Sequence, residues 1–118
     1  MGSLVKYGYA QSSGSSIQKI NNKSTSNVVR YFAAFKRGDE QIKINQEIIC
    51  LKIDVEGSEI DTLRGLKKIL KENKIFLQIE IFNINYNKVN NFLKKNNFKP
   101  DNKIISKSGY ADYYYKNY

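Results

Sequence analysis

Ile48-Ile49-Cys50-Leu51-Lys52-Ile53-Asp54-Val55, followed at once by Glu56-Gly57-Ser58-Glu59, decides how the chain folds. The first eight residues are nearly continuously apolar, the pattern of a strand covered on both faces. Gly57 permits a sharp turn. Ser58 and Asp61 fit the S-x-x-D capping box, which predicts a helix beginning there. Ile60, Leu63, Leu66, Ile69 and Leu70 then recur at three- or four-residue spacing and make one apolar stripe. Gly65 weakens that helix by roughly 1 kcal/mol relative to alanine, unless close packing against a sheet requires it.

Downstream, residues 75–82 (IFLQIEIF) read as a second buried strand, interrupted by Gln78 and Glu80. Residues 86–96 form a second amphipathic helix with Val89, Phe92 and Leu93 inward, closed by Phe98-Lys99-Pro100. Ile104-Ile105 and residues 110–115 are two final strands joined through 106–109. Upstream, residues 28–35 (VVRYFAAF) suit a strand, 36–39 a turn, and 41–45 a short strand or an extended connection. Residues 1–27, including QSSGSS at 11–16, are polar and loop-like. The chain thus divides into a polar N-terminal segment, 1–27, and an α/β domain, 28–118. Alternating strands and helices imply a mostly parallel sheet with right-handed crossovers, ending in an antiparallel C-terminal hairpin.

The 118 residues suit one small domain, and 41% hydrophobic with 26% charged residues is a globular composition. No apolar run approaches the roughly 18 residues of a membrane span. The N-terminus has no apolar leader core, so a cytoplasmic location is expected. Cys50 is the single cysteine, which excludes a disulfide within the chain and reads as a buried, inert thiol. With no histidine, neither a Ser-His-Asp nor a Cys-His arrangement can be built, and a general base must be Asp, Glu, Lys or Tyr.

The net charge of +9 suits an anionic partner such as nucleic acid. The lysines are spread, however: Lys67, Lys68, Lys71 and Lys74 surround one predicted helix, and Lys88, Lys94, Lys95 and Lys99 the other. Solvated helix faces explain most of them. Nine tyrosines could stack on bases, but packing of the last strand explains those at 113–115.

In an open α/β sheet, ligands sit beyond the carboxyl ends of the strands. Asp54, Glu56 and Glu59 fall at or just after such an end. Asp54 closes a buried strand, so its carboxylate needs a hydrogen-bond or charge partner. Glu59 and Asp61 also suit the first helical turn, where acids offset the helix dipole, and Glu56 also suits a solvated turn. Glu80 is the second candidate; its plain structural reading is an ion pair with a lysine such as Lys52. Asp54, Glu56 and Glu59 alone fix no metal geometry, and no metal is expected.

Residues 52–59, K-I-D-V-E-G-S-E, followed by Leu63-Arg64-Gly65, resemble the K-I-D-V-E-G-x-E and L-x-G signature of FkbM-type methyltransferases. Gln78-Ile79-Glu80-Ile81 and the aromatic stretch 112–117 are similar to that family's later strands. The resemblance runs from residue 28 or so to the end. It implies a Rossmann-like class I fold, with 48–54 as its fourth strand and 75–82 as its fifth. It implies S-adenosylmethionine as methyl donor and a sugar or small-molecule hydroxyl as acceptor. In that family setting Asp54 faces the reaction centre as base or substrate orienter. Glu56, Gly57 and Glu59 shape the turn or contact substrate, and Glu80 contacts substrate or braces the turn.

The chain departs from the family upstream. No D-x-G-x-x-x-G or G-x-G precedes Ile48, and Gly2, Gly8, Gly14 and Gly38 are isolated, so the cofactor-binding residues are not identifiable. The expected fold is therefore a partial class I sheet, with the edge of its fourth strand exposed. Such an edge should pair with another copy, with a separate N-terminal chain, or with the chain's own N-terminal segment. Cofactor binding by the chain alone should be weak. Two other functions fit: a non-catalytic interaction module retaining the fold, and a basic nucleic-acid-binding module.

Overall fold

Apolar residues at alternate positions of 75–81 commit this stretch to one covered sheet face, and the core is built on it. A computed structural model describes residues 3–5, 9–11, 14–16 and 33–118. The elements are β1 (Ser3–Val5), β2 (Tyr9–Gln11), β3 (Gly14–Ser16), β4 (Ala33–Phe35), α1 (Gly38–Gln41), β5 (Ile48–Ile53), α2 (Glu59–Gly65), α3 (Lys67–Glu72), β6 (Lys74–Phe82), a 3-10 turn (Asn83–Asn85), α4 (Tyr86–Lys95), β7 (Lys99–Ser106) and β8 (Tyr110–Lys116). The segment read as loop-like thus carries three short strands; β1 pairs antiparallel with β4, and β2 with β3. Residues 28–32 of the predicted first strand lie outside the described residues. Stretch 36–41 holds the short helix α1 rather than only a turn.

The main sheet has the order β5-β6-β8-β7. β5 and β6 are parallel, while β8 is antiparallel to both β6 and β7. The expectation of an α/β fold with a C-terminal antiparallel hairpin holds. The expectation of a mostly parallel sheet does not, since one of the three main-sheet pairings is parallel. The reason is that β8 returns between β6 and β7 and runs against both. Pro100 lies in β7 instead of closing the preceding helix, which an edge strand tolerates because no ladder donor is lost to a neighbour there.

Ile75, Leu77, Ile79 and Ile81 of β6 are fully buried against Leu63, Leu70, Val89 and Leu93 of the helices and Tyr115 of β8. Each such side chain contributes about 1.5–3 kcal/mol by leaving water. All these helical residues join one cluster, so α2, α3 and α4 cover one and the same sheet face. Among the described residues no helix covers the other. The apolar run of β5 therefore does not mark a strand covered on both faces. Ile53 is buried, but Ile48 is 73% exposed, and Cys50 carries an exposed rather than a buried thiol. Within the described residues β5 pairs only with β6.

The apolar stripe from 60 to 70 is broken into two helices at Leu66. The break is held from a distance. The Asp39 carboxylate accepts hydrogen bonds from the backbone N–H of Lys68 (3.0 Å) and Ile69 (3.1 Å), capping α3 from α1. A Cβ on Gly38 would collide with the Leu66 side chain, so glycine lets α1 approach that junction. The predicted capping box does not form: Ser58 makes no side-chain cap, and Asp61 lies 3.5 Å from Arg64. Among the described residues, no helix is long and apolar enough to cross a membrane.

Candidate active site at the carboxyl ends of β5 and β6

β5 ends at Ile53, and the chain reverses through a tight turn in which Ser58 N–H donates to Val55 O at 3.2 Å. Glu56 and Gly57 both adopt positive φ, 48° and 101°. Glycine accepts that region freely; for glutamate it costs about 1–2 kcal/mol. The turn is braced from beneath by Glu59, which is 2% exposed. One Glu59 oxygen accepts the Gly57 N–H at 2.8 Å, and the other accepts the Asn85 side-chain N–H at 3.2 Å. Glu59 thus ties the turn to the 3-10 segment that carries Asn85. Gly57 faces the Phe82 ring, which in turn meets Tyr110 edge-on at 6.0 Å.

Above the brace, carboxylate oxygens of Asp54, Glu56 and Glu80 lie within 4.8 Å of one another. Asp54 is exposed rather than partly buried, with Lys52 3.7 Å away. Glu80 does form an ion pair with a lysine, as its plain structural reading has it, but that lysine is not Lys52. Glu80 pairs instead with Lys107 at 3.4 Å, and the same Lys107 reaches Asp112 at 3.2 Å. The Asp112 hydrogen bond first of all holds the Lys107 ammonium above its ordinary pKa; desolvation, next in size, opposes it, and the Glu80 hydrogen bond adds to the rise. Lys107 also lies 5.1 Å from the centre of the Tyr110 ring. Asp61 stays outside, paired to Arg64 on the exposed helix face.

The geometry thus joins Asp54, Glu56 and Glu80, assigns Glu59 and Gly57 to the turn beneath, and adds Lys107, Asp112 and Asn85. Register puts Glu80 directly opposite Asp112 across β6 and β8. Like charges in that position demand a cation, and the β7–β8 turn supplies it. Without the pairing of β6 with β8, nothing in the sequence links the three. The carboxylates of Asp54, Glu56 and Glu80 are close enough to share a cation, but exposed acidic turns commonly cluster this way without one. Glu80 is moreover already neutralised by Lys107.

A nucleotide-type cofactor needs a glycine turn opening a helix. Among the described residues Gly14 lies in β3 and Gly38 packs on Leu66, while the glycines at positive φ are Gly57 and Gly109. The Gly57 turn does open α2, but its N–H is taken by Glu59, and Gly65 ends that helix. None of these makes a cradle for S-adenosylmethionine, so the described residues do not fit that group. No curated protein and no solved structure matches the chain. The family model described as the methyltransferase FkbM domain matches residues 9–100, starting well upstream of the signature turn and spanning β5, β6 and the carboxylate cluster between them. The chain therefore belongs to the FkbM methyltransferase family.

Proposed function

We propose that the chain is an S-adenosylmethionine-dependent O-methyltransferase acting on a hydroxyl of a sugar or other small molecule, and that the described residues form its acceptor side. The observation that carries this reading is the convergence of Asp54, Glu56 and Glu80 within 4.8 Å at the carboxyl ends of the parallel pair, in a chain of this family. When bound, the cofactor supplies an electrophilic methyl group. The chain's own task is to align a hydroxyl and take its proton. Asp54, exposed at the strand end, accepts the hydroxyl hydrogen as base or orienter. Glu56 holds a neighbouring hydroxyl from its strained turn. Glu80, fixed by Lys107, contributes a second, less mobile acceptor. Phe82 and Tyr110 offer an apolar wall beside them.

The cofactor cradle falls to residues beyond those described, to a second copy, or to a separate N-terminal chain. The open outer edge of β5 favours a partner strand there. The test is methyl transfer from labelled S-adenosylmethionine to a panel of hydroxyl acceptors, comparing wild type with Asp54→Asn. Transfer that depends on Asp54 supports the reading. Transfer indifferent to it assigns the chemistry elsewhere.

A further inference from the structure

The main-sheet face that no described helix covers has its own order. Side chains alternate along strands, and paired residues share a face. The register therefore sets Cys50, Phe76, Lys116 and Lys99 in one row across β5, β6, β8 and β7. The next row is Lys52, Gln78, Tyr114 and Asp101. Lys74 begins β6 on the same side. Phe76 and Tyr114 stand on the two central strands, half-buried, with ring centres 6.1 Å apart and planes tilted by 35°. Lys74, Lys99 and Lys116 are exposed around them.

Lys99 and Lys116 are direct cross-strand partners. Like charges so placed repel, and among the described residues neither has a carboxylate partner. Asp101 is the one acid that the register sets in these two rows, so with Lys74 the lysines of this face outnumber it beside two stackable rings. Towards the other end the face turns acidic at Asp54, Glu80 and Asp112. An apolar helix laid on this face would bury unpaired lysines, at a cost of several kcal/mol for each. The favoured occupant is hydrated, anionic and has flat π-faces.

We infer that this basic and aromatic end of the open sheet face binds single-stranded nucleic acid, stacking bases on Phe76 and Tyr114 and holding phosphates with Lys74, Lys99 and Lys116. The acidic row limits the footprint to a few nucleotides. Affinity is therefore modest and steeply dependent on salt.

The test is fluorescence anisotropy of labelled single strands of about ten nucleotides, thymidine or uridine only, titrated with the full chain from about 20 mM salt upward. The expected slope of log K against log salt is about −2, from three phosphates at roughly 0.7 each. Phe76→Leu and Tyr114→Leu, which keep apolar bulk in the sheet, should each weaken binding roughly fivefold or more. Lys99→Gln with Lys116→Gln should flatten the salt slope. Lys67→Gln, Lys68→Gln and Lys71→Gln together, on the helical face, should change affinity less than about twofold. The inference is overturned by no binding at the lowest salt, or by a helical-face variant that weakens binding as much as the sheet-face ones. Leucine variants that fold by circular dichroism yet bind like wild type overturn it too, as does equally tight binding of polyglutamate.

Discussion

Glu59 accepts the backbone N–H of Gly57 at 2.8 Å, from beneath a turn whose upper side presents Asp54 and Glu56. A 2%-exposed carboxylate that serves both Gly57 and Asn85 leaves both donors unsatisfied when it is removed. Glu59→Ala should therefore cost about 2–3 kcal/mol in urea denaturation and lower activity with it. A loss below about 0.5 kcal/mol would show that the turn stands without its brace.

Glu56 occupies φ 48°, a region that glycine enters without penalty. Glu56→Gly should raise stability by about 0.5–1 kcal/mol, after allowing for the greater freedom of glycine in the unfolded chain. The same change should reduce methyl transfer if, as proposed, the Glu56 side chain contacts the acceptor from its strained position. A variant both less stable and fully active would reverse both halves of this argument.

Lys107 is the cation between Glu80 and Asp112, which face each other across β6 and β8. In Lys107→Met the two carboxylates would repel, and one would take up a proton more readily in the folded than in the unfolded chain. The loss of stability relative to wild type should then be full at neutral pH and shrink as pH falls towards about 4. A deficit that stays constant between neutral and acid pH would mean that the loss is one of packing.

Tyr115 is buried and donates its hydroxyl hydrogen to Asn90 at 3.1 Å. Burial first, and the neighbouring Tyr86 and Tyr113 next, push its pKa well above the usual 10.0. Burial also raises Tyr113. The folded chain thus keeps protons that the unfolded chain loses above pH 10 or so, and stability must fall as pH rises through that range. Lys107, with its own raised pKa, adds in the same direction. Tyr115→Phe should flatten the alkaline fall in melting temperature. An unchanged slope would place its origin elsewhere.

The signature turn and the strands on either side of it were legible because local chemistry specifies them. An apolar strand, a glycine at positive φ and a helix with a regular stripe each leave a mark within a few residues. Three features left no local mark. The break at Leu66 depends on Asp39, 29 residues before the Lys68 N–H that it caps. The open face of β5 is invisible in its composition, because Ile48 and Cys50 are apolar whether or not a layer covers them. The Glu80–Lys107–Asp112 cluster exists only through the register of β6 with β8. Glu59 was legible as an acid in the first helical turn, but its work as a brace needs the position of Asn85.

The most direct measurement is methyl transfer to hydroxyl acceptors at millimolar S-adenosylmethionine, a concentration that tolerates weak cofactor binding. It would compare wild type, Asp54→Asn and the exposed-face control Asp61→Asn. If Asp54 takes or orients the acceptor proton, its variant should lose about 10²–10⁴-fold in rate while Asp61→Asn keeps wild-type activity. Transfer by Asp54→Asn at the wild-type rate would contradict the assignment of the carboxylate cluster as the acceptor side of a methyltransferase.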